Sequence, residues 1–196
     1  MKMRDLGVLL LFAAAALLPP LTRAQVPVFA ITPEQSTIKF YVSSSIDIAG
    51  KFNKWNATLT FASPDITTGV LDVKIQAASV DTGSGMKDGV LTGSDFFNAQ
   101  NDPYITFKST KIVQTGPTTF DVQGTFTIRG VSRPETLQLA VSGEGGSSHE
   151  IAGTMAFDRK DYGMDSGIPF IRIANRVEVD IDLKAKRISG PPMKFK

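Results

Sequence analysis

The chain has no cysteine and only one histidine among its 196 residues. No disulfide can brace it, and thiol catalysis, cysteine-ligated zinc and iron–sulfur clusters are excluded. Long apolar runs are scarce as well. The longest, residues 6–18, stops at Pro19-Pro20 and is too short to cross a bilayer core. Lys2 and Arg4 precede it and Thr22-Arg23-Ala24 follow, the layout of a secretory signal peptide cleaved after Ala24. Residues 25–196 are then expected to form a single domain. Three of the 21 basic residues and one of the 19 acidic residues leave with the signal, so 18 of each remain and the net charge is zero. With no polybasic stripe, nothing points to nucleic acid or to a permanent electrostatic hold on a membrane. Burial alone must hold the exported chain together, and its length allows that.

What the chain does have is alternation. Val177, Val179, Ile181 and Leu183 alternate with Glu178, Asp180 and Asp182; Phe120, Val122, Phe126 and Ile128 oppose Asp121, Gln123, Thr125, Thr127 and Arg129; Leu71, Val73 and Ile75 oppose Asp72, Lys74 and Gln76. Successive side chains of a strand point to opposite faces, so each segment buries one face and wets the other. The spacing predicts eight strands, at about 36–43, 50–61, 69–77, 104–114, 118–128, 135–142, 149–158 and 173–186. Gly, Pro, Asn and Ser clusters separate them, notably Ser63-Pro64-Asp65, Thr115-Gly116-Pro117, 130–134 and 143–148. Such a series indicates an antiparallel barrel or sandwich.

Two strands break phase. Phe52 is out of step with Trp55, Ala57, Leu59 and Phe61, and Ile105 and Phe107 with Ile112. Each break requires a bulge or bend, or else two strands read as one. Residues 83–101 do not read as strand. Met86, Val90 and Leu91 fall at near-helical spacing ahead of Phe96-Phe97, which predicts an excursion with a short helical piece laid across an end or side of the barrel.

Few residues suggest chemistry. Asp81-Thr82-Gly83 matches the aspartic-protease triplet, but one copy would need a homodimer to supply the second carboxylate. His149 follows Gly145-Gly146-Ser147-Ser148, which places it in a solvated loop unsuited to a catalytic base or a metal ligand. Glu178, Asp180 and Asp182 share a face, where alternating charge keeps strand edges from pairing with other chains. We assign no catalytic residue and no metal site. The phenylalanines, 13 in all, either fill a core or line a cavity, and an eight-stranded barrel is just wide enough for either.

Several spaced segments carry a resemblance. They are 29–40 (FAITPEQSTIKF), Gly50-Lys51-Phe52, Ser79-Val80-Asp81-Thr82-Gly83, Ser94-Asp95-Phe96-Phe97-Asn98 with Pro103 and Thr106-Phe107-Lys108-Ser109-Thr110, 124–134 (GTFTIRGVSRP), and 158–164 (DRKDYGM). In this order they resemble the YceI-like family, exported lipocalin-like barrels that bind polyisoprenoid lipids. Many members carry a histidine shortly after the first strand, where this chain has Ser43-Ser44-Ser45.

The resemblance implies an all-β fold, an eight-stranded antiparallel lipocalin-like barrel with a short helical excursion. It recasts Asp81 as part of a strand end. It implies a periplasmic protein without catalysis or cofactor, a monomer or homodimer. Such a protein would hold a long isoprenoid or isoprenoid quinone in its lumen and touch the membrane transiently as the lipid source. Strand parity then nominates Phe40, Val42, Leu59, Phe61, Val73, Ile75, Phe107, Phe126, Ile128, Leu139, Met155, Val179 and Ile181 as lumen residues. The competing readings are the homodimeric protease and a filled β-sandwich for protein contacts.

Overall fold

A computed structural model of the chain describes residues 25–31, 33–45, 48–143, 147–167 and 171–193. The expected signal peptide lies outside the described residues. The strands are β1 (Val28–Ile31), β2 (Thr37–Ser44), β3 (Ile48–Phe52), β4 (Trp55–Phe61), β5 (Gly69–Gln76), β6 (Val80–Asp81), β7 (Tyr104–Gln114), β8 (Thr119–Ile128), β9 (Val131–Ser142), β10 (Ser148–Asp158) and β11 (Ile173–Ser189), with helix α1 at Gly85–Thr92. They form one curled antiparallel sheet in the order β4-β5-β7-β8-β9-β10-β11-β2-β3-β6, with β1 added on β11.

The two edges of that sheet belong to the same bent ribbon. The expected strand at 50–61 is in fact β3 and β4, meeting at Asn53-Lys54. Its partner bends too, from β5 through a 3₁₀ turn at Ala77–Ser79 into β6. Across the bend, Asn53 N–H donates to the Ser79 carbonyl at 3.0 Å and Gln76 N–H to the Lys54 carbonyl at 2.9 Å. One end of the ribbon pairs with β2 and the other with β7, so the bend curls the sheet into a barrel. The phase break at Phe52 marks this bend. Counting each bent arm once gives the expected eight strands, with the four-residue β1 as an addition.

The second phase break is a bulge. Ser109 pairs with Gly124 and Lys111 with Gln123, leaving Thr110 as the extra residue. Ile105, Phe107 and Ile112 thereby all stay buried. Ser109 is turned inward, where its Oγ accepts the Leu71 N–H at 2.8 Å, so the amide stays satisfied in the interior.

Turn chemistry sets the remaining corners. Arg129 and Gly130 both have positive φ (54° and 71°), as a tight two-residue hairpin requires. The segment 130–134 is therefore less turn than its composition suggested, because β9 begins at Val131 and includes Pro134. A proline fits there because β9 pairs with β10 only from Gln138 onward, leaving Pro134 on an unpaired edge. Helix α1 lies where a helical piece was expected, and its Leu91 is buried in the core.

Candidate functional site: an apolar lumen

Inward-facing side chains fill most of the barrel. Among the described residues they leave two apolar chambers, of about 60 Å³ and 70 Å³. Each is several times the space one water needs, but offers water few hydrogen-bond partners. Ile38 lines both chambers.

The larger chamber is closed by aromatic rings. Phe40, Phe52 and Phe97 form a triangle with centroids 5.6–6.1 Å apart. Opposite, Phe126, Phe157 and Tyr162 form a second, at 5.1–5.5 Å. Such edge and tilted contacts stabilise beyond simple burial. Phe96 and Phe97 reach this end through a hydrogen-bonded loop in which Asn98 takes positive φ (52°) and its Nδ2 donates to Asp102 Oδ2 at 2.8 Å. The Asp158–Gly163 segment supplies the other wall. Arg159 is buried and lines the chamber. Its Nε donates to the Ala174 carbonyl at 3.1 Å, and one terminal nitrogen to the carbonyls of Met164 and Ser166. The guanidinium thus ties 159–167 to β11. Tyr162 is fully buried and its hydroxyl donates to Glu135 Oε1 at 2.9 Å; burial, then the Glu135 carboxylate, raise the phenol's pKa and keep it neutral.

The smaller chamber lies toward β1 and the C-terminal end of β11. Phe29, Phe61, Ile112, Phe120, Leu139, Ile151 and Met193 are among its walls. Phe29 and Phe61 meet edge to face at 5.9 Å, packing β1 against β4.

His149 also lines this chamber, contrary to its expected place in a solvated loop. It is 6% exposed, faces inward from β10 opposite Ala185, and meets the Phe29 ring at 5.3 Å. The glycine and serine residues before it suggested loop. Its burial comes from two strands distant in sequence, β1 and β11. Strand β1 and Met193, both lining this chamber, are absent from the sequence-based expectation.

All thirteen nominated residues point inward. Phe40, Val42, Ile75, Phe126, Ile128 and Val179 line the larger chamber. Leu59, Phe61, Val73, Leu139 and Ile181 line the smaller one. Phe107 and Met155 are buried in the core but line neither chamber. Phe107 stacks over Gly124, and Gly153 gives room to Leu139.

Asp81 stands outside the lumen, on the short edge strand β6. Asn53 Nδ2 donates to its Oδ2 at 3.1 Å and Gly83 N–H to its Oδ1 at 2.9 Å, with Lys51 Nζ at 3.8 Å. The Asn53 bond first, then the Gly83 amide, lower its pKa. A carboxylate held ionised in a turn is unsuited to sharing a proton with a twin. On β11, Glu178 pairs with Arg176 at 3.1 Å and Asp182 lies 4.0 Å from Lys184, the ordinary partnering of a wet strand face.

The solved structures of similar shape include Burkholderia cenocepacia BcnA, with a TM-score of 0.72 at 23% identity, covering 79% of this chain and 99% of that one. The Campylobacter jejuni YceI protein aligns with a TM-score of 0.60 at 26% identity, over 71% of this chain and 85% of that one. A polyisoprenoid binding domain from Saccharophagus degradans, implicated in plant cell wall breakdown, aligns with a TM-score of 0.66 at 17% identity, over 82% and 99%. In sequence, a UPF0312 protein of Shewanella denitrificans is 29% identical over 166 residues, 80% of this chain and 87% of the relative. The YceI-like domain matches residues 29–185, a span that takes in every strand from β2 to β10, and the chain belongs to the YceI-like family.

Proposed function

We propose that this chain is an exported, periplasmic binding protein that holds one long apolar lipid, of the polyisoprenoid or isoprenoid quinone type, without catalysing a reaction. The observation that carries this reading is the pair of apolar chambers lying in series inside one barrel. A globular ligand would need one large cavity; chambers in series suit a slender chain. From His149 to Phe157 the strand rises about 26 Å at ~3.3 Å per residue, or roughly 20 Å along a barrel axis tilted about 40° from it. The chambers are narrower than the ~300–1,000 Å³ of a pocket for a compact ligand, so a chain enters by displacing side chains between them, with Met155 the most adaptable.

The energetics suit reversible carriage. Relative to water, each buried CH₂ gains about 0.8 kcal/mol, which for a long chain would exceed the ceiling of real affinities. The physiological competitor is the bilayer, in which the lipid is already dry. Transfer from membrane to lumen is then near neutral, and shape and head group select the ligand. The Saccharophagus degradans domain, itself a polyisoprenoid binder, supports the same choice of ligand class. Asp81 and the single curled sheet favour neither the protease nor the sandwich.

Mass spectrometry of organic extracts from the purified exported protein tests this. The expected result is a long-chain isoprenoid at about one per barrel, and an N-terminus at Gln25 in the periplasmic fraction. A folded protein that carries no lipid, and takes up none on incubation with isoprenoids, would overturn it.

A further inference from the structure

The barrel interior satisfies its polar atoms with few exceptions. Among the described residues, the buried side-chain polar atoms without a hydrogen-bond partner are Nδ1 and Nε2 of His149 and Nε of Arg187. An unpartnered buried donor or acceptor costs on the order of 1–3 kcal/mol, so such atoms are seldom scattered at random through a native fold. Here they fall together. His149 pairs with Ala185, and Arg187 is the next residue on the same face of β11. Phe29, which packs on the imidazole, is the register partner of Arg187.

The surroundings are apolar and positively charged. One terminal nitrogen of Arg187 donates to the Gly190 carbonyl at 2.7 Å, and no ion pair engages the guanidinium among the described residues. Burial first, and the Arg187 charge as well, lower the pKa of His149 and keep the ring neutral, against the opposing pull of the Ser142 carbonyl. That carbonyl lies close by without completing a hydrogen bond. A small rotation of the ring could satisfy one nitrogen there, still leaving the other, and Arg187 Nε, open. Glu150, Lys184 and Lys186 alternate with the inward residues and face the outside.

We propose that His149 and Arg187 form a head-group site at the end of the smaller chamber, which takes a lipid terminating in an anionic oxygen acceptor, a carboxylate or a phosphate. This rests on the lumen reading and deepens it. Arg187 supplies Nε–H and a charge, and His149 supplies a second N–H. A ligand entering tail first would lay its chain through both chambers toward Phe97 and leave its head on this pair. Hydrogen bonds to an ionised acceptor are the strong ones, more so where water is excluded.

The test compares one chain with three heads: geranylgeranoic acid, geranylgeranyl phosphate and geranylgeraniol, each titrated into the purified exported protein after removal of bound lipid. The acid or the phosphate should bind at least about tenfold tighter than the alcohol, the worth of one charge-assisted hydrogen bond. Whichever anion binds better identifies the source of the head group. His149 is the only histidine, so its imidazole ¹⁵N signals need no assignment, and the anion should shift them in the wild type. In His149→Phe and in Arg187→Met the ratio of anion to alcohol affinity should fall toward unity, whatever either change does to the alcohol itself. Equal binding of all three heads with unmoved imidazole signals would overturn the head-group site and leave the lumen reading standing. Failure of every probe to bind would overturn both.

Discussion

The ring of Phe107 lies on the backbone of Gly124: a β-carbon at that glycine would stand 2.7 Å from the ring's Cζ and 2.6 Å from the Lys108 carbonyl oxygen. Phe107 and Gly124 sit on adjacent strands just before the bulge at Thr110. The missing side chain therefore makes room both for the ring and for the close approach of β7.

Glycine in a strand interior is ordinarily a weakness, so alanine at 124 would stabilise an unconstrained strand. Here the clash includes backbone, which cannot move aside. Gly124→Ala should destabilise by about 1–3 kcal/mol, as overpacking does. Phe107→Leu in the same chain should recover only part of the loss, since the Lys108 carbonyl remains. Urea unfolding measures both; a neutral or stabilising Gly124→Ala would show that the strands separate freely at this point.

Strand parity makes a sharper contrast on β8. Phe126 is 6% exposed between Phe157 and Tyr162, whereas Thr125 is exposed. Phe126→Asp puts a carboxylate among rings and should cost upwards of about 3 kcal/mol, with loss of co-purifying lipid. Thr125→Asp, opposite Lys108, should stay within about 0.5 kcal/mol of wild type and keep its lipid. Unfolding curves with lipid extraction check both variants, and equal damage at the two positions would refute the assigned facing.

His149 gives the fold a pH dependence with a defined sign. Its folded pKa lies below the ordinary 6.5, so between the two values the unfolded chain binds more protons than the native one. Stability is therefore fully present above pH ~6.5 and falls as pH drops toward the folded pKa, by at most about 1.4 kcal/mol per unit. The histidine's part of the slope should vanish in His149→Phe, whereas the carboxylates contribute to both proteins alike. Urea midpoints from pH 7.5 to 5 measure this; parallel curves for the two proteins would mean the imidazole is not held neutral.

Asp81 should prove to be scaffold. Asp81→Asn keeps an acceptor for the Gly83 amide and loses the attraction to Lys51, so the variant should bind lipid like wild type and unfold near the wild-type midpoint. Pepstatin-sensitive cleavage by the purified wild type, lost in Asp81→Asn, would reinstate the protease.

Legibility in the sequence followed range of interaction. The inward faces of β5, β8 and β11 were readable because period two is a local property of the backbone. The bulge and the bend were readable as phase errors at Ile112 and Phe52, although whether each was a bulge or a break between two strands was not. Strand β1 was missed because its four residues, Val28–Ile31, carry too little alternation to register, and only pairing with β11 makes them a strand. Pro134 reads as turn because its tolerance depends on β10 not pairing with β9 at that point.

The sequence by itself determined the sheet's two faces, its corners and its family, since alternation, turn residues and spaced motifs are all written within a few positions of one another. The tertiary structure alone decided that, among the described residues, the interior keeps the two apolar chambers, because their volume is the small difference between a barrel's circumference and the summed side chains of strands that meet only on folding. It also decided the position of His149. The residues that precede it in sequence are glycine and serine, but those beside it in space are Phe29, Ala185 and Arg187, and burial depends on neighbours in space.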